Sequence, residues 1–235
     1  MGKLTIVGLP LGNIEDISLR AFKALFSGDI VIAEDTRNYL KIKSILKERL
    51  VKVAADLEIN LEARPELISY REQNHNKILP KILELLSGNA NAILISDAGM
   101  PLISDPGYRL IDELIKHNIE VDVIPSATAV DTALVLSGLP TDRFIFLGFL
   151  PREKGKIKKL MAEVGELTAV YYESPYRVIK TLEIIAEDFP EIKVAACNDL
   201  TKKFQRIIRG TISEVLAELR TIKVQGEWVV VISSR

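Results

Sequence analysis

The sequence has few of the residues that cross-link chains or bind metals. Among 235 residues it contains a single cysteine, Cys197, and only two histidines, His75 and His117. One cysteine cannot form an intrachain disulfide, and a cysteine without a neighbouring base is more often a small core residue than a nucleophile. The histidines do not stand at the spacing of metal ligands. These scarcities exclude a disulfide scaffold and argue against a zinc enzyme.

Long apolar runs are missing as well. Hydrophobic residues make up 48% of the chain, but charged residues interrupt every apolar stretch before it reaches the ~20 residues of a membrane helix. The N-terminus lacks the basic start and long apolar segment of a signal peptide, so we expect a soluble, cytoplasmic protein. The formal net charge of −1 argues against a protein that coats nucleic acid, yet it is compatible with a local basic surface.

Short apolar runs alternate with amphipathic segments through the first half, which is typical of an α/β domain. One predicted helix has Thr36 as its N-cap, and another covers 78–86 with Pro80 in its first turn. Residues 54–73 are polar and receive no assignment. The predicted strands of this half cover 4–7, 29–33, 92–95 and 121–124.

The residue composition of the chain changes after the apolar run at 144–150. A charged connector with a proline and a glycine follows at 151–156, and such segments often separate domains. We therefore predict two α/β domains, residues 1–145 and residues 146–235. In the second half, strands are predicted at 169–172, 194–197, 204–209 and 228–232, and helices at 154–163, 176–187 and 211–219.

Four loops rich in Gly, Pro, Asp, Ser or Thr follow the strands of the first half, at 8–13, 34–37, 97–107 and 125–129. Ligands of open α/β sheets bind beyond the carboxyl ends of strands, where such loops meet. The third loop contains no Lys or Arg, and its two prolines remove backbone donors, so it differs from a phosphate-binding loop. We expect a neutral or cationic, partly apolar ligand here, roofed by the second domain.

The acidic candidates have two interpretations each. Asp97 and Asp105 either cap local structure or contact the ligand. The segment 34–37 is either an N-cap with a surface ion pair or a polar floor in which a carboxylate accepts a proton.

Basic residues recur at 152–159 and 202–209. Each run is either a solvated face or a surface that neutralises the phosphates of a nucleic acid. Nearby aromatics offer stacking faces unless they are core residues, namely Phe149, Tyr171, Tyr172, Tyr176 and Phe204.

Several motifs, in order along essentially the whole chain, resemble those of one family. They include Pro10-Leu11-Gly12-Asn13, Ala33-Glu34-Asp35-Thr36-Arg37, Ser96-Asp97-Ala98-Gly99, Ser104-Asp105-Pro106-Gly107 and Tyr172-Glu173-Ser174-Pro175-Tyr176-Arg177. On these residues the chain resembles the ribosomal RNA small-subunit methyltransferase I family of the tetrapyrrole methylase superfamily. The resemblance implies two α/β domains with S-adenosylmethionine in the cleft between them. It also implies 2′-O-methylation of a cytidine ribose in small-subunit (16S) ribosomal RNA, and a homodimer.

The resemblance extends to site residues. Glu34, Asp35 and Arg37 are candidates for orienting the substrate or handling its proton. The cofactor would contact Asp97, Gly99, Met100, Ile103, Ser126, Thr128 and Ala129, and in the second half Tyr172, Asn198 and Trp228. We assign substrate contacts to Pro10, Asn13, Arg152, Lys154 and Lys202.

The chain departs from the family pattern at several positions. Met100 replaces a usual threonine, Arg71 and Gln73 replace two histidines, and Asn198 replaces an arginine. Two further hypotheses therefore stay open. One is a methylase of the same fold that acts on a small molecule or a peptide, and the other is a cofactor- or RNA-binding relative that has lost catalysis.

Overall fold

Two α/β units make up the chain, described by a computed structural model of residues 2–235. The first unit ends at Thr128 and the second runs from Ala129 to Arg235. The sequence placed the boundary later, between 145 and 146. The structure assigns helix Ala129–Ser137 to the second unit because its buried face packs against the second sheet. No helix within residues 2–235 is long and apolar enough to cross a membrane.

The first unit is a parallel sheet with strand order β3-β2-β4-β1-β5. Its central strands β1, β2 and β4 are buried almost throughout, as expected where helices cover both faces. The strands are β1 (Lys3–Val7), β2 (Ile30–Ala33), β3 (Glu66–Ser69), β4 (Ala92–Ile95) and β5 (Glu120–Ile124). The helices are α1 (Leu19–Ser27), α2 (Thr36–Arg49), α3 (Val51–Asp56), α4 (His75–Ser87) and α5 (Tyr108–Lys116).

Helices on opposite faces bury the two sets of side chains of this sheet. Phe22 of α1 and Tyr39 of α2 pack on one face, and Leu86 of α4 and Leu110 of α5 pack on the other. The chain leaves β1 and β2 toward the first face, whereas it leaves the intervening β4 toward the second. Neighbouring loops thus diverge at the carboxyl end of β4, which is where α/β sheets bind ligands.

Two local predictions in this unit were wrong, and one unassigned segment contains a strand. Asp35, not Thr36, caps α2, since its side chain accepts from the Arg37 amide. Pro80 lies inside α4 rather than in its first turn, because a 3₁₀ turn at 72–74 starts the helix at His75. The unassigned segment 54–73 contains β3, in which Ile68 is the one fully buried residue.

The second unit is a mixed sheet with strand order β6-β7-β10-β8-β9. Its elements are α6 (Ala129–Ser137), β6 (Phe144–Phe149), α7 (Lys154–Val164), β7 (Thr168–Glu173), α8 (Val178–Ala186), β8 (Lys193–Asn198), β9 (Arg206–Thr211), α9 (Ile212–Leu219) and β10 (Trp228–Ser233). Strand β6 is parallel to β7, and β10 is antiparallel to both β7 and β8. Strands β6, β7 and β8 therefore end at one edge, where β10 begins. We call it the second-sheet edge.

Cys197 supports a direct test of this packing. The thiol is buried between β8 and α6, and burial raises its pKa to about 11. We predict that Ellman's reagent labels no thiol in the native protein and one thiol per chain after unfolding in urea. A Cys197→Ser chain should read zero in both states, and rapid stoichiometric labelling of the native protein would contradict the packing.

Candidate functional site

The carboxyl ends of β1 to β5 form the first-sheet edge, and all four predicted loops start there. Neighbouring strands pair in register at their last residues, so the loops leave the sheet at one level. Three of the loops are hydrogen-bonded together. The Leu9 amide donates to the Gly99 carbonyl over 2.8 Å, and the Ser126 hydroxyl donates to the Leu9 carbonyl over 2.9 Å.

Two glycines make this close approach possible. A Cβ on Gly8 would lie 2.5 Å from the Cβ of Ser126 and 3.0 Å from the sulfur of Met100. Gly99 has a φ of +68°, and a Cβ there would lie 2.9 Å from a methyl of Leu11. No side chain fits at either position, so the three loops share one tightly packed base.

The loop at 97–107 holds two non-glycine residues in the left-handed region, Leu102 at a φ of +71° and Ser104 at +68°. Such conformations cost about 1–3 kcal/mol each, persist only where the surroundings fix them, and are typical of ligand sites. Met100 is half-buried in this loop and Ile103 is exposed. The loop therefore presents apolar side chains on a backbone of fixed shape.

The segment at 71–74, where Arg71 and Gln73 depart from the family pattern, joins the same edge. The Glu72 carboxylate accepts from the Gly107 amide over 3.0 Å and so fixes the end of the 97–107 loop. Asn74 donates to the Ser69 carbonyl over 3.0 Å. The sequence did not predict the contact with the 97–107 loop, because Glu72 and Gly107 lie 35 residues apart.

Asp35 and Arg37 form a closed pair at the start of α2. The Asp35 carboxylate accepts from the Arg37 amide over 2.9 Å and from its guanidinium over 2.5–3.1 Å. These hydrogen bonds lower the pKa of Asp35 to about 2. Asp35 is therefore a weak base that positions Arg37, whereas the neighbouring Glu34 is exposed and forms no ion pair within residues 2–235.

The carboxyl of Asp105, in the loop after β4, lies near the charges of Glu34 and Asp97. Burial raises the pKa of Asp105, and the nearby charges of Glu34 and Asp97 raise it further, against a hydrogen bond from Ser96 that lowers it. Negative charge thus surrounds Asp105, while Arg37 and Arg71 lie near Asp35 on the same edge. A cation bound beside Asp105 would be stabilised by these carboxylates.

The cofactor residues predicted in the second unit lie together on the second-sheet edge. Trp228 pairs in register with Asn198, and Tyr172 pairs with the next residue of β10. Asn198 donates to the carbonyls of Gln225 and Glu227 over 2.9 and 3.1 Å. Trp228 is buried and donates from its indole to Gln225 over 3.0 Å, so both side chains brace the entry of β10. Thr128 ends the first unit and Ala129 opens α6.

The predicted substrate residues fall into two groups. Pro10 and Asn13 lie in the first loop, where the Asn13 side chain caps a 3₁₀ turn by accepting from Glu15 over 3.1 Å. Arg152, Lys154 and Lys202 lie in the second unit.

The two lysines of that second group are engaged in ion pairs. Lys154 pairs with Glu187 at 2.7 Å, and Lys202 pairs with Glu227 at 2.6 Å. Arg152 is exposed and has no ion pair within residues 2–235. Of these three cations, Arg152 is therefore the most available to a ligand.

Comparisons with known proteins agree with the fold. The family model for tetrapyrrole (corrin/porphyrin) methylases matches residues 3–216. A ribosomal RNA small subunit methyltransferase I of Thermotoga maritima is 39% identical over the full length of both chains. One of Hydrogenobaculum is 40% identical, covering 98% of this chain and 95% of its own.

Among solved structures, uroporphyrin-III C-methyl transferase from Thermus thermophilus, complexed with S-adenyl homocysteine, superposes with a TM-score of 0.61. It is 19% identical and covers 99% of this chain and 98% of its own. The chain therefore belongs to the tetrapyrrole methylase family, in the group that contains the ribosomal RNA small subunit methyltransferases I. The predicted family and fold class are confirmed.

The packing at Gly8 predicts the effect of one added methyl group. Gly8→Ala forces the loops at 8–13, 97–107 and 125–129 apart, and we expect a loss of about 1–3 kcal/mol in the free energy of unfolding, measured by urea denaturation. Gly155→Ala is the matched control because its Cβ meets open space in α7 and should be neutral or slightly stabilising. A Gly8→Ala chain as stable as the parent would contradict this packing.

The raised pKa of Asp105 predicts that the stability of the protein depends on pH. Because the folded state raises the pKa of Asp105 above 3.8, ionised Asp105 lowers stability as pH rises through that window, and the penalty is complete at neutral pH. Asp105→Asn should therefore raise the melting temperature at pH 7, with a difference that shrinks below pH 4.

Asp142→Asn serves as the control of opposite sign. The Arg235 guanidinium lowers the pKa of Asp142, so its ionised form stabilises the fold. This substitution should lower the melting temperature at pH 7. If Asp105→Asn lowers the melting temperature at pH 7 as Asp142→Asn does, the electrostatic account of Asp105 is wrong.

Proposed function

We propose that this chain is an S-adenosylmethionine-dependent methyltransferase that methylates the ribose 2′-oxygen of a cytidine in small-subunit ribosomal RNA. The observation that carries the proposal is the full-length similarity to relatives named for that RNA, at 39–40% identity. The loop arrangement at the first-sheet edge supports it, since four loops of the predicted site start at one level there.

The first-sheet edge fits the proposed cofactor chemically. S-adenosylmethionine supplies a methyl group on a sulfonium cation. Glu34, Asp97 and Asp105 give the surroundings of that edge a negative charge, and the loop at 97–107 adds Met100 and Ile103 as apolar contacts. Backbone groups near Gly99 can approach a ligand closely because no side chain intervenes. Asp97, Gly99, Met100, Ile103, Ser126, Thr128 and Ala129 would hold the cofactor.

The reaction requires little covalent participation by the protein. The acceptor oxygen must be held in line with the bond that breaks, and its proton must leave as the new carbon–oxygen bond forms. We assign proton acceptance or hydrogen bonding to the acceptor hydroxyl to Glu34, since Asp35 is already occupied by Arg37. Arg37 is exposed and is fixed at its guanidinium by Asp35. We assign to it the orientation of a phosphate or ribose of the substrate.

Three further predictions belong to this proposal. Tyr172, Asn198 and Trp228 complete cofactor binding from the second unit. The protein acts in the cytoplasm, and it forms a homodimer.

One carboxylate substitution and one guanidinium substitution separate the proposed roles of Asp97 and Arg37. We predict that Asp97→Ala weakens S-adenosylmethionine binding about 10-fold, a loss of about 1.4 kcal/mol, measured by isothermal titration calorimetry. Arg37→Ala should leave that affinity within about twofold and lower the rate of radiolabelled methyl transfer to small ribosomal subunits. Asp112→Ala is the control, because it removes an α5 carboxylate paired with Lys116 and touches none of the loops.

The outcomes distinguish the competing functions. Absence of cofactor binding at micromolar concentration would refute both enzymatic hypotheses. Cofactor binding without transfer to subunits from a strain lacking the activity would refute the RNA assignment and favour a small-molecule or peptide methylase, or a non-catalytic relative. Mass spectrometry of the labelled RNA should find 2′-O-methylcytidine.

A further inference from the structure

Three exposed aromatic side chains lie at the second-sheet edge. Phe149 ends β6 and is 61% exposed, Tyr176 follows β7 and is 95% exposed, and Phe204 lies between β8 and β9 and is 78% exposed. Because β6, β7 and β8 end at the same edge, all three rings follow strands that end on that side of the sheet. The three strand ends span three strand spacings, about 14 Å. Burying rings of this size on a ligand would gain roughly 1.5–3 kcal/mol each, so together they offer a surface for binding.

Unpaired positive charge accompanies these rings. The cations of the 152–159 connector mostly form ion pairs, Lys154 with Glu187, Lys156 with Glu153 and Lys158 with Asp188. By contrast, Arg152, Lys203 and Arg206 are exposed and have no ion pair within residues 2–235. The Lys203 ammonium lies 5.5 Å from the centre of the Phe204 ring. Arg152, Lys203 and Arg206 are thus available cations beside the exposed aromatics.

The turn that carries Phe204 has a fixed backbone. The Lys202 amide donates to the Asp199 carbonyl over 3.0 Å, and the Thr201 amide donates to the Gln205 side chain over 2.7 Å. Asp199 and Thr201 adopt φ values of +47° and +63°, and Lys202 bridges Asp199 and Glu227. Phe204 is therefore presented on a rigid turn, which lowers the entropy lost on binding.

We propose that Phe149, Tyr176 and Phe204, with Arg152, Lys203 and Arg206, form a stacking platform for unpaired RNA bases. Aromatic faces bind bases of any sequence, and the adjacent cations neutralise the phosphates between them. The inference rests on the proposed function, since it names how that substrate docks. It requires the acceptor cytidine to lie in a single-stranded stretch, whose bases are free to stack.

Fluorescence anisotropy with an unpaired cytidine-rich 12-mer tests the platform. Phe204→Ala and Tyr176→Ala should each weaken binding roughly 10-fold or more, and Phe204→Trp should restore it, because the indole offers an equal or larger stacking face. Lys203→Gln should reduce the slope of log affinity against log salt by about 0.7. S-adenosylhomocysteine affinity should stay within twofold of the parent in all four variants.

Matched controls lie at the opposite edge of the same sheet. Phe144→Ala removes a ring that is 44% exposed at the start of β6, and Lys193→Gln removes a cation at the start of β8. Both should bind the 12-mer like the parent. Equal losses in Phe144→Ala and Phe204→Ala would overturn the platform, as would full RNA affinity in Phe204→Ala and Tyr176→Ala.

Two further readouts separate this inference from its alternatives. If sedimentation shows that Tyr176→Ala or Phe204→Ala dissociates a dimer, the surface is a contact between copies and the platform is refuted. Subunit methylation by the parent together with full RNA affinity in the aromatic variants refutes the platform alone. RNA affinity that depends on these rings, without any methyl transfer, supports the platform and refutes the proposed function.

Discussion

The missing side chain at Gly8 is the constraint on which the first-sheet edge depends. Only a bare Cα lets the loop after β1 lie against Ser126 after β5 and Met100 after β4. The hydrogen bonds from Leu9 to Gly99 and from Ser126 to Leu9 follow from that contact. Loops that are usually mobile are here tied to one another and to a buried sheet, so a ligand meets a surface of fixed shape.

Charge then decides what this surface can hold. Asp35 is satisfied by Arg37 and behaves as part of the helix cap, whereas half-buried Asp105 lies near the charges of Glu34 and Asp97. These like charges disfavour ionised Asp105, and a bound cation would relieve that cost. The same carboxylates would therefore link stability to the proposed cofactor binding and to the proposed role of Glu34 in proton handling.

Much of the first unit could be predicted because its central strands are buried on both faces and read as unbroken apolar runs. Strand β3 was missed because it is an edge strand with one buried residue, Ile68. The ion pairs of Lys154 and Lys202 could not be predicted from the sequence, because their acidic partners at 187 and 227 lie far along the chain. Whether an aromatic side chain is buried also depends on its position in the sheet. Tyr171 lies within β7 and is buried, whereas Phe204 lies in the turn between β8 and β9 and is exposed.

The central claim is that the methyl donor binds at the first-sheet edge, and hydrogen-exchange mass spectrometry with and without saturating S-adenosylhomocysteine tests it most directly. The account predicts slower amide exchange in the peptides covering 8–13, 97–107 and 125–129. Protection confined to other segments, with these three loops unchanged, would contradict it.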